Sequence, residues 1–179
     1  MSSSRNQLDS LYVILRGMIR AEIDHTPGFR ELTGRSEVPV NLDAEKAILG
    51  AMMLDNAVNL AEVEVDYFSL DSNRRIWLAM DALMEAGKPV DIVTLKEQMG
   101  EGVKEIGGVA YLASLTEGLP RLPRVAEYIA IVQEKAKRRR IMGACVEAIK
   151  LCQDQHVAAA EIVGQLGVAL KGIKKGNGK

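Results

Sequence analysis

From Pro123 to Cys152, the apolar residues Val125, Tyr128, Ile129, Val132, Ala136, Met142, Cys145, Ile149 and Cys152 keep helical spacing for nearly thirty residues. A sustained 3.6-residue period specifies one long helix. The pattern breaks near Gln153–His156, then resumes with Ala159, Ile162, Val163, Leu166, Leu170 and Ile173. Two helices joined by so short a connection fold back on each other as an antiparallel hairpin. Residues 123–174 are therefore expected to form a helical hairpin, followed by a short tail over 175–179.

The chain upstream also reads as helices. Asn41 is placed to cap a helix, with Asp43 and Glu45 near its positive end and Ala44, Ala47, Ile48, Ala51, Met52 and Leu54 as its apolar stripe. Gly50 inside that helix costs about 1 kcal/mol relative to alanine, which a close helix crossing would explain. Asp55-Asn56 is a break, and Ala57–Val63 is expected to form a short second helix. Ser72–Ala86 is the next helix, buried through Ile76, Trp77, Met80, Leu83 and Met84, with Gly87-Lys88-Pro89 as its stop. Asp91 caps a further helix carrying Val93, Leu95 and Met99, and Thr94 with Glu97 offers an alternative capping box. Gly100, Gly102 and Gly107-Gly108 mark loops, and Tyr111, Leu112 and Leu115 a last short helix closed by Gly118 and Pro120. No strand-period segment competes. The expected fold is all-α: a compact multi-helix part over 38–122, followed by the long antiparallel hairpin.

Residues 1–37 precede this body. Leu8, Leu11, Tyr12, Leu15, Met18, Ile19 and Ile23 recur at helical spacing, and Pro27-Gly28 with the polar stretch to Ser36 reads as a linker. Such an appendage packs on the main body, frays, or docks on another protein. At 179 residues there is room for one domain of this kind.

Chemistry is sparse. No G-x-x-x-x-G-K-[ST] or G-x-G-x-x-G occurs, so nucleotide hydrolysis has no evident seat and no cofactor is expected. Cys145, Cys152 and His156 could fall near one helical face, but a structural zinc site wants four ligands and His25 is the only other histidine. The two cysteines read as ordinary core residues, and two thiols without a disulfide framework fit a reducing, cytoplasmic compartment. Glu62, Glu64 and Asp66 show no pairing that implies acid–base work. No apolar run approaches the ~20 residues that span a bilayer. The net charge of −1 does not argue for nucleic-acid binding, so DNA binding is expected to be weak at most. The sharpest charge feature is Lys135, Lys137, Arg138, Arg139 and Arg140, read as a solvated helix face, a docking strip for an acidic helix, or a phosphate contact.

Several stretches resemble a known family. Pro39, Asn41, Glu45, Ala47, Leu49, Gly50, Ala51 and Asp55, within PVNLDAEKAILGAMMLD, resemble the opening helix of DnaB-type replicative DNA helicases. Phe68 with Asp71, Arg75 and Ile76 is similar to the next family signature. GKPVDIVTLKEQM, with Gly87, Pro89, Asp91 and Thr94, looks like its helix-break-helix. Gly107-Gly108-Val109-Ala110-Tyr111-Leu112 is similar to its GG-x-AYL. Tyr128, Val132, Glu134, Lys135, Ala136 and Arg139 resemble the start of its hairpin. The resemblance covers roughly residues 39–173, with Arg124 standing where the family often has asparagine.

The resemblance implies the family's N-terminal, non-motor domain, in which hairpins pair and six copies build a collar that meets primase. ATP and magnesium would belong to a motor domain, which the family carries beyond a linker helix. The implied function is an interaction and oligomerisation module of DNA replication, a dimer or hexamer whose partners are a replicative helicase motor, a primase or a helicase loader. The alternatives are a stand-alone regulator of helicase rings and a split helicase subunit active with a motor chain in trans. The candidate interface residues are Tyr128, Val132, Arg138, Arg139, Arg140, Ile162, Leu166 and Leu170.

Overall fold

The structure, a computed structural model, describes residues 38–58, 60, 62–119 and 124–175. The helix expected over residues 1–37 and the tail beyond Lys175 lie outside the described residues. Every regular element among the described residues is helical.

Helix α1 spans Leu42–Leu54 and is capped as the sequence indicates, with the Asn41 side chain accepting the Ala44 N–H at 3.0 Å. It is buried on nearly all sides, through Ala44, Glu45, Ala47, Ile48, Leu49, Gly50, Ala51 and Met52. Leu54, expected in the stripe, is 57% exposed instead, because it falls in the last turn as the helix leaves the core. A Cβ on Gly50 would lie 2.0 Å from the Leu115 carbonyl oxygen, so the chain that follows the short helix crosses here at a distance only glycine allows. Asn56 then locks the exit. Its amide donates to the carbonyls of Met52 and Val90 at 2.9 and 3.0 Å, and its side-chain oxygen accepts the Val90 N–H at 2.6 Å. The described residues of 57–63 form turns rather than the expected second helix, and a 3-10 turn follows at Val65–Tyr67.

Helix α2 spans Asp71–Glu85. Its end is closed by Gly87 at φ 66°, with Lys88 N–H donating to the Leu83 carbonyl at 2.9 Å and Gly87 N–H to that of Met84 at 3.0 Å, the paired bonds of a Schellman stop. Helix α3, Ile92–Met99, opens on a reciprocal cap: Asp91 accepts the Val93 and Thr94 N–H groups, and the Thr94 hydroxyl accepts the Asp91 N–H. The box therefore pairs Asp91 with Thr94 and not Thr94 with Glu97. Val93, expected on the buried face, is 75% exposed, and only Leu95 of this helix is fully buried. Gly100–Ile106 is a 3-10 segment where a loop is expected, anchored by buried Val103 and Ile106. Helix α4, Gly108–Ser114, brings in Leu112.

The core gathers Ile48, Leu49, Phe68, Ile76, Met80, Leu83, Leu95, Leu112 and Leu115, with the Phe68 and Trp77 rings 5.6 Å apart. Helix α5, Val125–Gln153, contributes Ile129, Val132 and Ala136 to the same core. The compact unit therefore runs from Pro39 to Arg138 and takes in the first half of α5. The described residues from Arg139 onward belong to a second unit, containing the rest of α5, a connection at 154–158, and α6, Ala159–Lys175. Helices α5 and α6 are the two long helices expected from the sequence, with the break between them where the periodicity placed it. Among the described residues, no helix is long and apolar enough to cross a membrane.

Candidate interaction surface

A surface for docking is identified by apolar side chains that the chain itself leaves uncovered. The sequence-derived candidates divide sharply on this test. Val132 is 1% exposed and belongs to the core, and Tyr128 is half-buried against it. Val132 offers no free surface and Tyr128 only part of its own, because the face of α5 carrying Ile129, Val132 and Ala136 is the one the compact unit covers. Ile162 is buried within the second unit and Leu166 is half-buried, whereas Leu170 is exposed. Val163 and Val168 of α6 are more exposed still, at 71% and 72%. Val163, Leu166 and Leu170 fall at i, i+3 and i+7, so they lie along one side of the helix.

The second half of α5 carries an exposed apolar face that the helical period alone did not single out. Ile141, Cys145, Ile149 and Cys152 are all exposed, while Val146 is buried. At 3.6 residues per turn, these four lie on the side of the helix away from Ile129, Val132 and Ala136. Cys145 and Cys152, expected in the core, are thus surface thiols. The reason is that α5 has apolar residues on two opposite sides, and only one of them is buried.

The basic run is less open than its charge count suggests. Arg138 Nε donates to Glu134 Oε1 at 2.8 Å, one turn away. That bond, with the nearby guanidinium charge, holds the Glu134 carboxyl below the usual carboxylate range. Arg139 and Arg140 are half-buried and also engaged. Surface pairs of this kind contribute little to stability, but they cancel charge locally. Among the described residues, no group of three or more His, Cys, Asp or Glu is placed to hold a metal ion.

Glu45 has a role beyond its position in the first turn of α1. It is 1% exposed. Its Oε1 accepts the Ser69 N–H at 2.8 Å, and its Oε2 accepts the Asn73 amide at 2.8 Å and the Leu70 N–H at 3.5 Å. The N-cap residue of α2, Leu70, supplies no side-chain bond to its helix, so the carboxylate of α1 supplies the negative charge that a helix N-terminus favours. Asn73 Oδ1 in turn accepts the Tyr111 hydroxyl at 2.6 Å, while the Lys46 ammonium sits 5.5 Å from the centre of the Tyr111 ring. Burial pushes the Tyr111 phenol above its ordinary range. One buried carboxylate thereby ties together α1, α2 and α4. Three of the stretches that carry the family resemblance, those in α1, α2 and α4, meet in this network.

Residues 37–134 match the family described as DnaB-like helicase N terminal domain. The chain belongs to that family. The matched span coincides closely with the compact unit and its Glu45 network. Relatives include the replicative DNA helicase DnaB of Geobacillus stearothermophilus, 34% identical over 74% of this chain and 30% of that protein. The replicative DNA helicase DnaC of Bacillus subtilis is also 34% identical, over 75% of this chain and 30% of its own length. The chain thus matches less than a third of the length of these helicases. Among solved structures, the N-terminal domain of DnaB helicase from Mycobacterium tuberculosis superimposes with a TM-score of 0.70 at 26% identity, covering 76% of this chain and 99% of that domain. A DnaB-like replicative helicase, solved in a study of its interactions with primase, shares the fold at a TM-score of 0.63 and 21% identity, covering 76% of this chain and 32% of its own.

Proposed function

We propose that this DnaB N-terminal-domain protein is an interaction and assembly module of DNA replication, with no catalysis of its own. The observation that carries the reading is the family match over the compact unit, to the N-terminal domain of proteins that are replicative helicases. The sequence holds no loop to cradle a nucleotide's phosphates, so ATP and magnesium are assigned to a motor domain or chain.

Self-association runs through α6. Val163 and Leu170 are exposed on a stripe shared with half-buried Leu166. Burying a valine or leucine side chain fully is worth about 1.5–3 kcal/mol, and a two-fold interface uses every contact twice. The helical body remains available for a replicative helicase motor, its loader or a primase. DNA contacts are weak, because the chain is close to neutral and Arg138 is already paired with Glu134.

The test is recovery of partners from native lysate on the tagged full chain, at low and high salt. A replicative helicase, loader or primase bound at defined stoichiometry supports the assignment. Reproducible recovery of non-replication proteins alone overturns it and leaves only the fold.

A further inference from the structure

Cys145 and Cys152 are exposed thiols on the second half of α5, and pairing through α6 makes no use of them. A spacing of one heptad keeps them on one side of the helix, offset by about 20°. Ile141 and Ile149 share that side, each 42% exposed. We propose that this stripe is a redox site at which two copies of the chain pair antiparallel and are joined by two disulfides, Cys145 of each copy to Cys152 of the other.

Within one chain the two thiols cannot meet. Their Cα atoms are separated by about 10.5 Å along the helix axis, whereas a disulfide spans about 4.4–6.8 Å between Cα atoms. A Cys145–Cys152 bond therefore requires a second copy as long as α5 stays helical. An antiparallel copy supplies it when the two-fold axis passes between residues 148 and 149. That axis sets Cys145 level with Cys152 of the second copy on both sides, and Ala148 level with Ile149 at the centre. Helices in contact lie about 8–10 Å apart and carry their Cα atoms about 2.3 Å from the axis. Facing Cα atoms then come to roughly 3.4–5.4 Å, within reach of a disulfide. Cysteine and alanine side chains are small enough to allow that approach.

The stripe suits its own copy as occupant. The charged residues between Ile141 and Cys152 are Glu147 and Lys150, more than about 100° round the helix from Cys145. The Lys150 ammonium lies 3.8 Å from the Glu147 carboxylate. A second copy thus brings no like charge against the stripe, and the antiparallel sense opposes the two helix dipoles favourably. The stripe is also too small for a lasting dimer by itself. Specific interfaces bury about 800 Å² per partner, and four partly exposed side chains offer a fraction of that. The covalent link therefore decides the state: the copies part at this face when reduced and stay joined when oxidised.

The oxidant is a low-molecular-weight disulfide. The thiolate of one cysteine takes one half of it as a mixed disulfide and releases the other half as a thiol. The facing cysteine of the second copy then displaces the remaining half. Each bond formed oxidises two cysteine thiols and reduces one small disulfide to two thiols, which carry away the two protons.

The test uses the full chain carrying Val163→Asp/Leu170→Asp, so that α6 pairing plays no part in the result. Oxidised glutathione is added, and covalent dimer is followed by non-reducing electrophoresis and peptide mass spectrometry. The parent should form a dimer whose linked peptides join Cys145 to Cys152 of another copy, identified by mixing isotope-labelled and unlabelled protein. Cys145→Ser alone and Cys152→Ser alone should each link at least tenfold more slowly, with equal helicity. An equimolar mixture of the two should regain a dimer, because one Cys145 then faces one Cys152. Ile149→Asp should slow linking at least tenfold while leaving alkylation of the reduced thiols by N-ethylmaleimide unchanged. A single-cysteine variant that links as fast as the parent, a mixture that gains nothing, an unchanged rate in Ile149→Asp, or oxidation that stops at glutathione adducts overturns the proposal.

Discussion

Replacing Gly50 by alanine should lower the stability of the compact unit substantially, against the usual effect of that substitution in a helix. Alanine is better than glycine in a helix interior by about 1 kcal/mol. Here the added methyl would sit 2.0 Å from the Leu115 carbonyl oxygen, 2.8 Å from its carbon and 2.6 Å from Leu119 Cδ1. The first two are backbone atoms of a residue only 1% exposed, so they yield only if the end of α4 moves. Overpacking a well-filled core costs about 1–3 kcal/mol or more, and a backbone clash this close belongs at the upper end. The net loss is about 2 kcal/mol. For a unit of this size, each kcal/mol shifts Tm by roughly 4–8 °C, so Gly50→Ala should melt about 8–16 °C below wild type by circular dichroism or calorimetry. Gly102→Ala is the matched control, because a Cβ there meets nothing within 4 Å; its Tm should stay within a few degrees of wild type, about 0.5 kcal/mol. A Gly50→Ala protein that melts at or above wild type would refute the close crossing of α1 beneath Leu115.

Two further substitutions test the cap and the buried network. Glu45→Gln keeps the shape but turns one acceptor into a donor facing the Ser69, Leu70 and Asn73 donors; the urea midpoint should fall by the equivalent of about 1.5–3 kcal/mol at unchanged m-value, and an unchanged midpoint would contradict the network. Asp91→Asn keeps the cap but removes its titration. The Thr94 and Val93 N–H groups hold the Asp91 carboxyl below its ordinary range, Thr94 most strongly. A depressed folded-state pKa adds stability that is present above the unfolded value of about 3.9 and is lost as pH falls through the folded value. The wild-type advantage in Tm over Asp91→Asn should therefore shrink as pH drops below about 4, and a constant difference across that range would exclude the effect.

The parts legible in the sequence are those whose partners are close along the chain. Asn41, Asp91 and Gly87 act on backbone groups within a few residues, so their roles follow from spacing alone. The long period of α5 and the break before α6 are similarly local. Glu45 could be read only as a favourable charge in a first turn, because its partners lie 24 to 28 residues away and are reached by packing α1 against α2. The glycines at 100 and 102 signal a loop, but buried Val103 and Ile106 wind that stretch into a 3-10 segment. The α6 stripe shows in its period, but period cannot tell which side of α5 the body covers. Hence Val132 belongs to the core, and Cys145 and Cys152 lie at the surface.

The most direct measurement is sedimentation velocity of the full chain beside Val163→Asp/Leu170→Asp, from sub-micromolar to tens of micromolar, roughly the range over which weak dimers form. Both residues are exposed, so the substitutions should leave helicity and melting unchanged, which makes them cleaner probes than half-buried Leu166. Pairing through α6 predicts a wild type that associates with rising concentration and a variant that stays monomeric, its affinity reduced a hundredfold or more by charge placed in a buried interface. A wild type that remains monomeric at tens of micromolar, or a variant that associates equally well, would contradict self-association through this face.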